Sequence, residues 1–236
     1  MKTLRLSLVL ILLTVHFGYS QGTVNFNNRA TSFGSGAQSP VVAPIFGFDV
    51  ANPTQIKQGN PGSSWNGTSG PTPVPLGTQT YGGAPLTGTG YTVSLWAAPA
   101  DAPDSQLVQV AQATFRTSTT ISFKGFWEAP TGPVVVVGVP SAPGVFAKFQ
   151  IKAWDNRGGT LTSWEQVLAD NNTALGWSTI FIVPYQLGDH SVAAPNLLGL
   201  ESFELYPVPE PSVFSIAAVG VLLFVVARTR RLKSWA

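Results

Sequence analysis

Cysteine is missing from this 236-residue chain. Its absence excludes a disulfide framework, a cysteine-bearing zinc site, a thiol nucleophile and a lipid-modified N-terminal cysteine. Histidine occurs only at His16 and His190, so most histidine-based catalysis and metal clusters fall as well. Charged residues make up 10% of the chain, where about 25% is usual. Long helical periodicity is lacking too. What abounds is punctuation, with 24 glycines and 19 prolines. Such a composition speaks of architecture and address before it speaks of chemistry.

The formal net charge of +2 misleads if read as one number. Lys2 and Arg5 precede the first apolar run, and Arg228, Arg230, Arg231 and Lys233 follow the last. Between Gln21 and Tyr206 there remain seven basic residues against ten acids, a balance of −3. Non-specific nucleic-acid binding needs a basic face on the folded part. A mildly acidic body argues against it.

The basic ends have a topological meaning. Residues 1–20 carry the parts of a secretory signal: Lys2 and Arg5, an apolar run from Leu6 to Val15, and small residues Gly18 and Ser20 before a cut at Gln21. At the other end, Pro207-Val208-Pro209-Glu210-Pro211 is stiff and extended, because proline fixes φ and restrains its predecessor. Ser212 to Ala227 then runs without a charge. As a helix it reaches about 24 Å, short of a hydrocarbon core near 30 Å, a gap that snorkelling arginines and local thinning can cover. The closing basic cluster should remain cytoplasmic, which places the body on the far side.

Val208-Pro209-Glu210-Pro211, an apolar span and an arginine-rich end, in that order, resemble the PEP-CTERM sorting signal of exported bacterial proteins. The resemblance covers about thirty residues. It implies recognition by an exosortase, an integral-membrane processing enzyme with a cysteine nucleophile that removes the tail. Pro209, Glu210 and Pro211 match the recognition tripeptide, and Arg228, Arg230 and Arg231 match the basic stop. A permanent single-pass anchor is the alternative. The opening Gln21 to Arg29 and Ala153-Trp154-Asp155-Asn156 resemble segments of other exported PEP-CTERM proteins, and this resemblance implies no activity.

Short alternating runs dominate the body at residues 21–206, the pattern of half-buried antiparallel strands. In Val145 to Ala153, Val145, Ala147, Phe149, Ile151 and Ala153 share one face, with Lys148, Gln150 and Lys152 opposite. Tyr91 to Ala97 repeats the alternation. Pro133 to Val137 is apolar on both faces, so a strand sandwiched between layers is expected. Thr23–Asn27, Leu107–Thr117, Thr119–Phe123, Thr179–Val183 and Glu201–Tyr206 bring the total to about eight. The expected fold is all-β: an antiparallel β-sandwich or jelly-roll-like domain with one short helix, plus an N-terminal signal helix and a C-terminal transmembrane helix over 212–227. That one helix should start at Ser163, where Ser163-Trp164-Glu165-Gln166 forms a capping box and Trp164, Val167 and Leu168 face the sheet. Residues 52–90, rich in glycine and proline, read as a long irregular excursion.

Catalytic constellations are weak. Asp189-His190-Ser191 sets triad residue types side by side, whereas a triad must converge in space. Glu128, Glu165, Glu201 and Glu204 are carboxylates by type only, with no spacing that marks a glycosidase pair. Asp155-Asn156-Arg157-Gly158-Gly159 lacks the alternating acids of a calcium loop and reads as a turn. Six tryptophans in the body are the more suggestive signal, since exposed tryptophan stacks on sugar rings. Trp96 and Trp154 fall on the polar faces of their strands, and Trp65 lies in the glycine-rich excursion. The sequence therefore points to an exported, non-enzymatic structural or adhesive surface protein with no cofactor. Its expected partners are the exosortase, the membrane and a polysaccharide, with a carbohydrate-binding module as the alternative role for the body.

Overall fold

The computed structural model describes residues 20–30, 35–53, 55–62, 77–120, 123–170 and 172–207. Residues 1–19 of the expected signal sequence, Trp65, and the segment carrying Val208, Pro209, Glu210, Pro211, Arg228, Arg230 and Arg231 lie outside them. The described chain is all-β, its sheets antiparallel, with one short α-helix. Its order is β1 (Gln21–Val24), β2 (Arg29–Ala30), β3 (Val41–Val42), β4 (Tyr91–Pro99), β5 (Val108–Thr114), β6 (Val134–Pro140), β7 (Ala147–Asp155), α1 (Trp164–Ala169), β8 (Ala174–Trp177), β9 (Phe181–Ile182) and β10 (Tyr206–Pro207).

The main sheet runs β10-β8-β7-β4-β5, with β9 pairing the other half of β7. Its spine is the nine-residue pairing of β4 with β7, from Tyr91 opposite Asp155 to Pro99 opposite Ala147. Period-two alternation explains why these two strands dominate: Val93, Leu95, Ala97, Phe149, Ile151 and Ala153 are all fully buried on one face. They join a core with Phe26, Ile45, Trp127 and Phe203. Separate ribbons, β1 with β6 and β2 with β3, supply further strands.

Asn28 ties this core together. Its amide donates to Ala43 O at 2.8 Å and Gly125 O at 2.9 Å, while its Oδ1 accepts from Trp127 N at 3.3 Å. Trp127 Nε1 in turn donates to Phe26 O at 3.1 Å. A buried amide with every polar atom engaged fastens the end of the β2–β3 ribbon to the segment at residues 125–127.

Three expectations need correction. The valine run is not sandwiched: Val136 and Val139 are buried, but Val135 and Val137 stand 44% and 57% exposed. β6 pairs with β1 alone, and Gly138, at φ +79°, breaks the alternation so that residues three apart face inward. Thr119–Phe123 is no strand among its described residues. Thr120 O accepts from Phe123 N in a turn, after which Trp127 returns to bridge Phe115. The capping box at Ser163 and Gln166 is present, yet only Trp164 and Val167 are buried while Leu168 is 55% exposed. A six-residue helix offers one narrow stripe, and Leu168 falls beyond it.

The excursion is better anchored than its composition promises. Gln58 bridges Phe203, Pro61 bridges Gln79, and the Tyr81 ring stacks on Phe46 at 4.2 Å. Tyr81 Oη donates toward Ser202 O and Gly59 O. Residues 63–76 within it lie outside the described structure.

Candidate functional site

Opposite the core, the main sheet presents a second face built by the same alternation. Directly paired residues of antiparallel strands share a face, so the register converts into rows. One row reads Gln112, Ser94, Lys152 and Trp177 across β5, β4, β7 and β8. The next reads Gln109, Trp96 and Gln150, with a register shift after Leu95 that brings Gln109 opposite Trp96. A third reads Thr114, Thr92, Trp154, Leu175 and Tyr206.

Helix α1 covers the third row. Trp164 and Val167 pack on Trp154 and Leu175, and the Trp154 and Trp164 rings meet at 5.8 Å. Trp154 is fully buried and its Nε1 donates to Leu161 O at 2.9 Å. Alternation places it on the correct face, but the helix closes over it, and it offers no ring to a ligand. Trp96 is half-buried, and its Nε1 donates to Ser94 Oγ at 2.8 Å.

Trp177 takes the place expected of Trp154. It is half-buried and stands edge-on to Trp164 at 6.3 Å and to Tyr206 at 5.4 Å. Leu175 and Trp177 alternate around Gly176, a short signal from which this strand could have been read. Between the tryptophans lies Lys152, its ammonium 3.6 Å from the Trp96 ring centre and 5.1 Å from that of Trp164. Burial pushes its pKa down, and Glu165 nearby pushes it partly back. Gln109 donates to Gln112 at 3.1 Å, and Gln150 donates to Ser178 O at 3.2 Å. Indole rings, one ammonium and a run of amides thus share a sheet face, a composition suited to a polar ligand with apolar ring faces.

The other sequence candidates do not assemble a catalytic site. Asp189 Oδ1 accepts from Ser191 N, Ser191 Oγ and Val192 N, which hold its carboxyl well below the ordinary range. The serine thus engages the aspartate locally, and His190 is exposed. Glu128, Glu165 and Glu201 are exposed, whereas Glu204 is 1% exposed. None lines the cleft of about 160 Å³ bounded by Phe46, Pro61, Gly62, Thr78, Gln79, Thr80 and Tyr81. Asn156 turns its amide inward to Thr89 O and Thr92 Oγ1, and its Oδ1 accepts from Gly159 N. That loop is a turn with its oxygen already in use. Among the described residues no group of three acidic or histidine side chains is placed to hold a metal ion, and no helix is long and apolar enough to cross a membrane.

Comparisons with protein-family models, with curated proteins and with solved structures found no match.

Proposed function

We propose that this is an exported, non-catalytic adhesive module of the cell envelope or extracellular matrix, whose open sheet face binds polysaccharide. Its body is a β-sandwich of jelly-roll type. Residues 1–20 direct export and are removed, and residues 207–236 act as a PEP-CTERM signal. Val208, Pro209, Glu210 and Pro211 are read by an exosortase, the 212–227 span holds the chain in the membrane, and Arg228, Arg230 and Arg231 stop transfer.

The observation that carries the adhesive reading is the second face of the main sheet. Trp96 and Trp177 remain half-buried there beside Lys152 and the three glutamines, while Trp127 and Trp154 are sealed inside. Large rings left at a surface that could have been covered are an interaction signal. β10 supports the sorting reading: it pairs with β8 up to Pro207, so the proline-rich segment departs from a fixed sheet edge.

Intact mass of the protein from its native host tests the sorting, measured with and without the exosortase. Loss of everything beyond the Pro209-Glu210-Pro211 region, only when that enzyme is present, is the expected result. A mass that retains Arg228 to Ala236 in both strains leaves a permanent single-pass anchor instead.

A further inference from the structure

Lys148 and Lys152 stand on one strand, four residues apart and on the same side of its alternation, yet their surroundings differ. Lys148 donates to Ala102 O and to Asp104 Oδ1, the latter at 2.6 Å. Lys152 has neither a hydrogen bond nor an ion pair from its ammonium among the described residues. The ion pairs there engage Lys57, Arg116, Lys148 and Arg157 with Asp49, Glu128, Asp104 and Asp170. Among the described residues Glu165, on α1, is the carboxylate whose charge acts on Lys152, and it makes no ion pair with it.

A half-buried ammonium carries three N–H donors, and ring faces satisfy its charge without accepting those bonds. A ligand that supplies oxygen acceptors with negative charge completes what the protein leaves open. The ammonium is also pinned between two indoles, so less rotamer freedom is lost when an anion arrives. Trp96 and Trp177 lie two strand spacings apart and two residues out of row, roughly 12 Å between their backbones. A ligand touching both is an extended chain rather than a single sugar.

Resting on the polysaccharide-binding reading of this face, we infer that its ligand is an acidic polysaccharide, and that Lys152 recognises a carboxylate of a uronic acid unit laid between Trp96 and Trp177. The anion displaces water from the ammonium, and the glutamine amides of β5 and β7 meet neutral hydroxyls.

The test is calorimetric titration of the full chain in nonionic detergent with polygalacturonate and with its methyl ester, which has the same backbone without the charge. Wild type should bind the free acid about tenfold or more tightly than the ester. Lys152→Gln should abolish that preference, and Trp177→Ala should weaken both polymers. Equal affinity of wild type for acid and ester, unchanged by Lys152→Gln, overturns the acidic assignment while leaving the polysaccharide-binding reading intact. Failure to bind either polymer, with the chain folded by near-UV circular dichroism, overturns both. If Lys152→Gln unfolds the chain, added salt on wild type decides the same question. The acid preference must fall steeply with ionic strength, and a salt-independent preference refutes the role of Lys152.

Discussion

The ammonium of Lys152 rests 3.6 Å from the centre of the Trp96 ring, across the β4–β7 pairing and two residues out of register. The pair joins the two strands on the face away from the core, where Trp96 also packs against the cluster of Trp154, Trp164, Val167 and Leu175.

A double-mutant cycle on Lys152→Met and Trp96→Leu should return a favourable coupling of about 0.5–2 kcal/mol. Urea unfolding of the four chains measures it. A coupling near zero would mean that the contact orients the lysine without stabilising the fold.

Glu204 governs a pH dependence. It is 1% exposed, neither carboxylate oxygen has a hydrogen-bond partner among the described residues, and burial raises its pKa despite Lys57 close by. A raised folded pKa means that the folded chain holds the proton more tightly than the unfolded one. Its contribution is therefore fully present below the ordinary glutamate range and is lost as pH rises through the folded value. Asp49 acts oppositely, since Asn52 and Lys57 hold its pKa down, so its contribution is lost as pH falls. Glu204→Gln should raise the melting temperature at neutral pH and leave it nearly unchanged near pH 4. Thermal melts of both chains across pH 4–8 check this, and the difference between them isolates Glu204.

Asn28→Ala should cost on the order of 3 kcal/mol, because it strands the Trp127 N–H and the Ala43 carbonyl in the interior, while Gly125 O keeps Ile45 N as a donor. Trp127→Phe should cost less from hydrogen bonding, since it frees only Phe26 O. Chemical denaturation of the two variants ranks them.

Gly125 and Gly138 should respond unequally to alanine, although both sit at positive φ, +82° and +79°. A Cβ at Gly138 meets nothing within 4 Å, so the change should cost about 1 kcal/mol from backbone strain alone. At Gly125 the same atom lies 2.7 Å from Pro44 Cβ, and the turn that returns Trp127 to Phe115 must shift. A larger loss of stability at Gly125 than at Gly138 is the expected order in unfolding experiments.

Much of this architecture is legible in the sequence because alternation and capping are local. β4, β7 and the Ser163 capping box follow from residues that are neighbours along the chain, and alternation assigns Trp96 and Trp154 to the face they occupy. What alternation cannot say is what lies over a face. Trp154 is covered because α1 arrives ten residues later, and Val135 and Val137 are bare because β6 pairs with β1 alone. For Lys152 the pattern gives only the polar side of its strand. Its lack of an anion is a tertiary fact, visible beside Lys148, four residues away, which has found Asp104. Trp177 is hard to place from sequence because β8 is four residues long and carries a glycine between Leu175 and Trp177.

The place of β10 has a mechanical consequence. A load applied at Pro207 enters the domain through an edge strand joined to β8 at only two residues, Tyr206 and Pro207. Immediately behind them Phe203 and Leu205 are 0% and 1% exposed, embedded in the main core. Tension should peel the short edge pairing first at low force, then stall where those two side chains would have to be drawn into water. The domain thus resists being pulled by its C-terminal end through interlocked side chains, with the edge hydrogen bonds serving as an early-yielding link.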